Sequence, residues 1–344
     1  MIQHNHPSLN HLEAEAVENV IRTGWLAQGE QVTKFEEEIC EFLDLPSGHA
    51  VAVTSGTAAL YLALWALNTE SKKVAVPVYS CSSLRNAVGM IRARIVLVDP
   101  VSGEPNIDVR ELDQDEVDLA IVPHMYGIPA LGIGQSRIPF IEDCSQAIGG
   151  QIAGIPVGLQ GLAGVYSFYA TKLMTSGGQG GAVVSKDGGL IELIRDYRQF
   201  DCRKDEKLRF NFQMTDMQAA VGRAQLRKLP GFLKRRAEIF QRYEENFPML
   251  WGKGTQDRVT PVRYRAVLHA NSPREVISAL GQKGIKCIVP IERWELLKDS
   301  SLFPVAQHLA GTTVSLPIYP NLSDVEVDYI VDQINMLNET EKWF

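Results

Sequence analysis

The sequence IEDCSQAIGG (141–150), with GVYSFYATK (164–172) and GGQGGAV (177–183) after it, is the stretch that decides the fold. An acid, Asp143, ends an apolar run. A serine, Ser167, stands five residues before Lys172, and a dense glycine turn follows the lysine. In open α/β sheets, ligands bind beyond the carboxyl ends of the strands. We therefore expect this stretch to form one wall of a ligand site.

Short apolar runs alternate with helical patterns over the first half of the chain. Strands are expected at 50–53, 73–78, 94–99, 118–127, 138–143, 164–169 and 181–185, and helices at 57–68, 83–93 and near 107–113. This alternation predicts an α/β fold with a mainly parallel seven-stranded sheet between helices. Ahead of it, helices are expected at 10–23, between Asn10 and Gly24, and at 33–45, with a turn-rich segment at 24–31.

The pattern changes after residue 230. Long helices are expected at 214–228 and 231–246, with an interruption at Pro230 and Gly231. Beyond them we expect strands at 257–270, 286–291 and 313–317, and helices at 272–284, near 304–310 and at 323–337. We predict a large domain over residues 1–230, which includes the N-terminal helical segment, and a smaller C-terminal α/β domain over residues 231–344.

Composition argues against several classes of partner. The chain is 45% apolar and 22% charged, with a net charge of −7 and no long run of like charge, so neither nucleic acid nor an anionic membrane surface is expected as a partner. The start, MIQHNHPSLN, does not resemble a signal peptide, and the most apolar run, 58–67, is too short to span a membrane. Five cysteines without a C-x-x-C pair predict reduced thiols in a cytoplasmic protein and no zinc site.

The segment SGTAAL (55–60) joins the first expected strand of the sheet to a helix. The first N–H groups of a helix lack internal partners and carry partial positive charge. A phosphate fits there, aided by Gly56 and the Thr57 hydroxyl. Alternatively, Ser55 or Thr57 only caps the helix, and for this motif alone capping is the simpler explanation.

Asp143 and Gln146 are candidate contacts for an aromatic ring. An ionised acid at the end of a strand can keep a pyridinium nitrogen protonated, which makes the ring an electron sink. A surface acid or a helix cap explains Asp143 equally well. Gln146, one turn later, is placed to contact a ring hydroxyl, with an exposed loop amide as the alternative.

Lys172 carries the strongest functional hypothesis. Most lysines are solvated surface charges, but a lysine amine must be largely unprotonated to attack an aldehyde. The apolar, aromatic run GVYSFYA before Lys172 predicts an enclosed position. Ser167 is a candidate phosphate ligand, and the following glycines permit close backbone approach. Together these residues suit a pyridoxal phosphate site in which Lys172 forms the Schiff base.

Taken together, these segments resemble the DegT/DnrJ/EryC1/StrS family, the pyridoxal phosphate-dependent sugar aminotransferases of fold type I, over nearly the whole chain. GWLAQGEQVTKFEEEICEFL (24–43) is similar to the family's entry segment. SGTAAL, IEDCSQAIGG and YSFYATK with GGQGG resemble its phosphate, ring and Schiff-base motifs. RFNFQMTDMQAAVGRAQL (209–226) and SLPIYPNLSD (315–324) resemble two later segments.

The resemblance implies a role for each matching residue. Lys172 would form the Schiff base and move the proton, Asp143 would pair with the pyridine nitrogen, Gln146 would contact the ring hydroxyl, and Thr57, Ala58 and Ser167 would bind the phosphate. Asn211 would reach the phosphate of a neighbouring subunit, which implies a homodimer with shared active sites. A simple turn residue is the alternative for Asn211.

The sequence departs from the family pattern at three places. Cys81 occupies the position, two residues after Tyr79, where an aromatic side chain usually stacks on the ring; we keep Cys81 as a cofactor contact, although a thiol is smaller. Gln179 replaces a usual glutamate. VPIERW (289–294) replaces a usual His-Tyr pair in a segment that helps to bind substrate, and its Arg293 and Trp294 are candidates for either substrate contact or a structural role.

The function implied by the resemblance is a cytoplasmic, homodimeric aminotransferase. It would move an amino group from glutamate or glutamine to a keto group of a nucleotide-linked deoxy sugar. One alternative is a dehydratase on the same scaffold, which Lys172 disfavours because related dehydratases have a histidine at that position. The others are a non-catalytic regulator, in view of Cys81 and Gln179, and a non-sugar acceptor such as an aminocyclitol ketone.

Overall fold

The computed structural model describes residues 1–130, 132–252 and 258–341. Its strands, in chain order, are β1 (Ala50–Val53), β2 (Lys73–Pro77), β3 (Arg94–Val98), β4 (Leu119–Pro123), β5 (Phe140–Asp143), β6 (Gln151–Ile152), β7 (Ile155–Pro156), β8 (Ala163–Ser167), β9 (Gly181–Val184), β10 (Val259–Thr260), β11 (Ala266–His269) and β12 (Thr313–Leu316). Seven of them form one central sheet in the order β1-β9-β8-β5-β4-β2-β3.

The central sheet is mainly parallel, as predicted. Strands β3, β2, β4, β5 and β8 run parallel to their neighbours, and β9 alone is reversed between β8 and β1. Residues of β1, β4, β5 and β9 are buried along their whole length, because helices cover both faces of the sheet. The predicted α/β class is therefore confirmed, and the carboxyl ends of the parallel strands meet at one edge.

The helices surround this sheet and extend beyond it. In chain order they are α1 (His11–Thr23), α2 (Glu30–Phe42), α3 (Gly56–Ala66), α4 (Ser82–Met90), α5 (Gly188–Arg198), α6 (Asp216–Glu244), α7 (Pro273–Gln282), α8 (Pro304–Thr312) and α9 (Asp324–Glu341). Short 3-10 turns lie at Val109–Glu111, Met125–Gly127, Ile133–Gln135 and Arg293–Glu295. Helix α1 is bounded as predicted: Asn10 and Glu13 form a capping box, and Gly24 ends the helix with φ of 74°.

Four sequence predictions about secondary structure were wrong or incomplete. Helix α6 runs unbroken through Pro230 and Gly231, where two helices had been expected. Helix α2 begins at Glu30 rather than at 33. The segment 286–291 has alternating burial but joins β12 only through an isolated bridge between Ile288 and Ser315. Of the strand expected at 257–270, Asp257 lies outside the described residues and the rest forms the short β10 and β11. Helix α5 and the small strands β6 and β7 were not predicted.

The C-terminal part has a hydrophobic core of its own. The second half of α6 packs there against β11, β12, α7 and α9 through buried side chains such as Phe240, Leu268 and Ile330. Ile2, at the N-terminus, packs against the same core. Because α6 continues across residue 230, the boundary between 1–230 and 231–344 falls inside a helix, and this division stays a prediction.

The N-terminal arm, residues 2–8, crosses between the two parts of the chain. Ile2 forms a bridge with Ile285, in which its N–H donates to Gly284 O at 2.7 Å and its carbonyl accepts from Lys286 N at 3.0 Å. Ser8 Oγ donates to Asn321 Oδ1 at 2.5 Å. The arm is therefore fixed on the C-terminal part before α1 begins.

All five cysteines are free thiols. Cys40, Cys144 and Cys287 are buried, whereas Cys81 and Cys202 are exposed. Among the described residues, no helix has the length and apolar character that crossing a membrane requires.

Candidate active site

A cavity of about 250 Å³ lies at the edge of the sheet where the parallel strands end. Its walls come from segments that follow β1, β2, β4, β5 and β8. Among the residues that line it are Gly56, Thr57, Cys81, Asp143, Gln146, Ser167 and Lys172. Seven of the nine residues predicted to contact a cofactor therefore surround one space; Ala58 and Asn211 are the other two.

One end of this inner cavity is formed by the start of α3. Ser55 Oγ accepts a hydrogen bond from Ala58 N–H at 3.1 Å, so Ser55 caps α3 and also lines the cavity, whereas Ala58 is buried and is not a lining residue. A Cβ on Gly56 would lie 2.8 Å from Ser167 Cβ. Only glycine allows the helix start to approach Ser167 this closely, and the approach brings the Thr57 and Ser167 side chains to the same wall.

Asp143 and Gln146 line the inner cavity from the end of β5 and the turn after it. Asp143 is 7% exposed at the last position of β5, and its Oδ1 accepts from Ser145 N–H at 3.0 Å. Gln146 Oε1 accepts the N–H of Tyr126 at 2.7 Å. The Nε2 group makes only a weak contact with Met125 Sδ at 4.0 Å, so it can donate a hydrogen bond to a ligand. Tyr126 has a φ of 61°, a strained conformation for a non-glycine residue, and this hydrogen bond helps to hold it.

Behind Asp143 is a buried His124–Glu142 pair that sequence reasoning missed. His124 lines the cavity and its Nε2 is 3.0 Å from Glu142 Oε2. Its Nδ1 accepts from Ala130 N–H at 3.0 Å, so the ring proton is on Nε2. Burial would raise the pKa of Glu142, but His124 and backbone N–H donors outweigh it and lower that pKa. The sequence signal for this pair was His124, which directly follows β4 and therefore lies at the same edge of the sheet as Asp143.

Lys172 is half-buried in the loop after β8. Its Nζ lies 5.6 Å from the centroid of the Tyr264 ring. Among the described residues it forms no ion pair with a carboxylate. Burial would raise the pKa of the Tyr264 phenol, but Lys172, Arg265 and Arg236 outweigh burial and lower it. The site therefore contains a cluster of cations around one buried tyrosine.

A second, outer chamber of about 420 Å³ adjoins the inner cavity. The two share Ser80, Cys81, Met125, Gln146 and Lys172 as lining residues. The outer chamber is also lined by aromatic and charged side chains of both parts of the chain: Arg85, Tyr126, Tyr264, Arg265, Trp294 and Glu295. Lys172 thus lines both the inner cavity and the larger outer chamber.

The structure also shows where four further candidates from the sequence lie. Cys81 is exposed at the N-cap position of α4 and borders both chambers. Trp294 is 80% exposed and lines the outer chamber, whereas Arg293 pairs with Asp299 at 3.0 Å and lines neither chamber. Asn211 is exposed outside both chambers, and its Oδ1 accepts from Gln213 N–H at 3.0 Å.

Comparison with known proteins places the sequence among aminotransferases. The model of the DegT/DnrJ/EryC1/StrS aminotransferase family matches residues 7–335. GDP-perosamine synthase of Escherichia coli O157:H7 is 29% identical over 356 residues, covering 96% of each chain. UDP-N-acetyl-3-dehydro-alpha-D-glucosamine 3-aminotransferase of Acidithiobacillus ferrooxidans is 31% identical over 310 residues, covering 83% of each. Among solved structures, S. venezuelae DesV in complex with a ketimine intermediate is similar with a TM-score of 0.86 and 27% identity, over 95% of this chain and 94% of that one.

Proposed function

This chain belongs to the DegT/DnrJ/EryC1/StrS aminotransferase family, and on that premise we propose that it transfers an amino group from glutamate or glutamine to a keto group of a nucleotide-linked deoxy sugar. The observation that carries the proposal is the single cavity in which Lys172, Asp143 and the start of α3 meet. The similar proteins named for GDP- and UDP-linked sugars support the acceptor class.

The residues of the inner cavity fit pyridoxal phosphate, the cofactor of this family. The close approach of Gly56 to Ser167 leaves a cradle between a helix N-terminus and a hydroxyl, which suits the phosphate. Asp143 and Gln146 line the same cavity, and we assign them to a ring nitrogen and a ring hydroxyl. When bound, the cofactor supplies an aldehyde for the amine and a ring that accepts electrons.

With the cofactor bound, the side chains of this protein would have separate roles. Thr57 and Ser167 hold the phosphate, and Asp143 holds a proton on the ring nitrogen because an anion there favours the protonated form. Lys172 Nζ would be the covalent attachment point, and its free amine would carry the proton to and from the reacting carbon. Its place between both chambers lets one amine serve the cofactor and the substrate in turn.

The outer chamber is the proposed place of the acceptor. Trp294, which lines this chamber and is exposed, suits the binding of a sugar nucleotide, because aromatic faces pack well against rings. Lys172 stands where a dehydratase of the same scaffold would have a histidine, so the amino transfer is preferred over that alternative. No observation favours a regulator or a non-sugar acceptor.

We also propose a homodimer with shared sites in the cytoplasm. Asn211 is exposed outside its own chain's chambers, as a residue that serves a neighbouring subunit would be. Leu208 and Phe210, close to it, are 94% and 60% exposed, and such apolar exposure is typical of an interface. The free thiols support a reducing compartment.

The proposal is tested by locating the covalent attachment. Purified protein loaded with pyridoxal phosphate is reduced with borohydride, digested and mapped by mass spectrometry. We expect the label on Lys172, its loss in Lys172→Ala, and its retention in Lys186→Ala, which removes an exposed lysine. Addition of L-glutamate should convert the cofactor to its amine form, and a keto-sugar nucleotide should reverse this. A label on another lysine, or none, would contradict the proposal.

A further inference from the structure

Arg265 lines the outer chamber without a neutralising partner. It precedes β11 and is half-buried, yet it forms no ion pair with any carboxylate of the described residues. Other buried or half-buried arginines have acceptors for their charge: Arg198 pairs with Glu36, Arg223 pairs with Glu38 at 2.7 Å, and the buried Arg236 donates to backbone carbonyl oxygens such as Ile318 O at 2.8 Å. A charge that is removed from water without a counter-ion is costly, so such a residue suggests an anionic ligand.

The guanidinium of Arg265 is oriented by His4 of the N-terminal arm. Arg265 Nη1 donates to His4 Nδ1 at 2.9 Å, and His4 Nε2 is 2.9 Å from Ser315 Oγ. Burial and then the charges of Arg265, Lys286 and Arg236 lower the pKa of His4 to about 2. The imidazole is therefore neutral, so it fixes the direction of Arg265 and leaves its charge uncompensated.

Arg265 and Lys172 both approach the ring of Tyr264. Arg265 Cζ is 4.9 Å from the centroid of this ring, and Lys172 Nζ is 5.6 Å from the same centroid. The acid of this chamber, Glu295, is exposed, accepts from Glu292 N–H at 2.8 Å and does not pair with Arg265. The chamber thus presents two cations around one aromatic ring, and neither forms an ion pair with a carboxylate of the described residues.

We propose that Arg265 binds the α-carboxylate of the amino donor, beside the amine of Lys172. This inference rests on the proposed function and names the donor as an α-amino acid. In such a donor the carboxylate is attached to the carbon that bears the reacting amine, so an anion must be bound near Lys172. The diphosphate of a sugar nucleotide is separated from the keto carbon by much of the sugar ring. A guanidinium also matches a carboxylate with two parallel hydrogen bonds.

The test compares Arg265→Met, Arg265→Lys and Arg94→Met, all loaded with cofactor. Arg94 is an exposed arginine at the start of β3 that lines neither chamber, so its variant controls for a general loss of positive charge. Single-turnover absorbance gives the affinity for L-glutamate, and calorimetry gives the affinity for glutarate, a dicarboxylate without an amine. We expect Arg265→Met to weaken both by about ten- to hundred-fold. Arg265→Lys should be intermediate, and Arg94→Met should change either by less than about three-fold.

Several results would overturn the proposal. One is unchanged affinity for glutamate and glutarate in both Arg265 variants, when their cofactor absorbance and thermal midpoints match those of the wild type. Another is weakened binding of a keto-sugar nucleotide alone, which would assign Arg265 to the diphosphate. Equal losses in Arg265→Met and Arg94→Met would show only a general effect of the protein's net charge. If the wild type binds glutarate through Arg265 but transfers no amino group, the carboxylate site stands and the proposed function fails.

Discussion

Asn5 Nδ2 donates a hydrogen bond to the carbonyl oxygen of Thr171 at 2.7 Å, and Thr171 is the residue before Lys172. The same arm is tied to the C-terminal part through Ile2 and His4. A short N-terminal segment therefore connects the lysine loop to β12 and its neighbours. A movement between the two parts of the chain would therefore be transmitted through this segment to the loop that carries Lys172.

Replacing Asn5 with alanine should slow catalysis without removing the cofactor. The lost hydrogen bond is exposed and contributes about 1 kcal/mol or less, so the lysine loop gains mobility but keeps its fold. We expect the rate of the glutamate half-reaction to fall about two- to five-fold, measured by single-turnover absorbance. Ser8→Ala is the control, because Ser8 contacts Asn321 instead. An equal effect of both variants would contradict a specific link to the lysine loop.

Gly56→Ala should damage the cofactor cradle. The new Cβ would lie 2.8 Å from Ser167 Cβ, so either α3 or β8 must move at the point where the phosphate is expected. Such overpacking costs about 1–3 kcal/mol, and we expect cofactor affinity to fall by about ten-fold or more in a fluorescence titration. In Gly231→Ala, on α6, the added Cβ meets no atom within 4 Å, so that variant should bind cofactor normally and gain a little stability.

Chemical labelling of Cys81 should report directly whether the cofactor occupies the inner cavity. It is an exposed thiol on the wall of the inner cavity, whereas Cys202 is exposed outside both chambers and the remaining three cysteines are buried. We expect iodoacetamide to label Cys81 and Cys202 in the cofactor-free protein, and pyridoxal phosphate to slow labelling of Cys81 alone. Peptide mass spectrometry measures both rates in one sample. Equal protection of both cysteines would place the cofactor elsewhere or indicate a global change.

The sequence was informative where local chemistry decides the outcome. Asn10 and Gly24 mark the ends of α1, short apolar runs between helical patterns mark the strands of the sheet, and the acid, hydroxyl and lysine of the candidate site could be named before their cavity was known. The predictions that were wrong concern features that depend on contacts between residues far apart in the sequence. Pro230 is tolerated inside α6 because buried Leu229 and Phe232 hold the helix on both sides, although an interior proline costs about 3 kcal/mol.

The start of α2 illustrates the same limit. Its N-cap position is Gly29, which has no side chain to cap a helix. The cap comes from Asp216, 187 residues away, whose Oδ1 accepts from Gly29 N–H at 2.8 Å and from Val32 N–H at 3.1 Å. No local pattern could have placed the first residue of α2 at Glu30, because the group that satisfies its N–H donors lies on α6.

Asp216→Ala should therefore destabilise the protein at the start of α2, although Asp216 itself belongs to α6. Removal of this buried carboxylate leaves N–H donors of α2 without partners, and the expected loss is about 1–3 kcal/mol in the free energy of unfolding. Chemical denaturation measures it. Asp187→Ala, which removes the exposed cap of α5, should cost about 1 kcal/mol. Hydrogen exchange should rise first at residues 29–32, and unchanged exchange there would contradict the assignment.

His4 predicts a pH dependence of stability in mildly acidic solution. Its folded pKa is about 2 against an ordinary 6.5, because burial and the charges of Arg265, Lys286 and Arg236 disfavour the protonated form. The unfolded chain therefore binds the proton first. The stability that neutral His4 contributes is complete above about pH 6.5 and is lost progressively as the pH falls toward 2.

At pH 5 this loss should reach about 2 kcal/mol, since each pH unit below the unfolded pKa is worth about 1.4 kcal/mol. His4→Gln keeps a polar side chain but cannot titrate, so its stability should fall less between pH 7 and pH 5 than that of the wild type. Denaturation at both pH values measures the difference. Because His4 orients Arg265, hydrogen exchange at residues 2–8 should rise over the same interval. Parallel pH profiles for the two proteins would show that His4 is not a buried neutral imidazole.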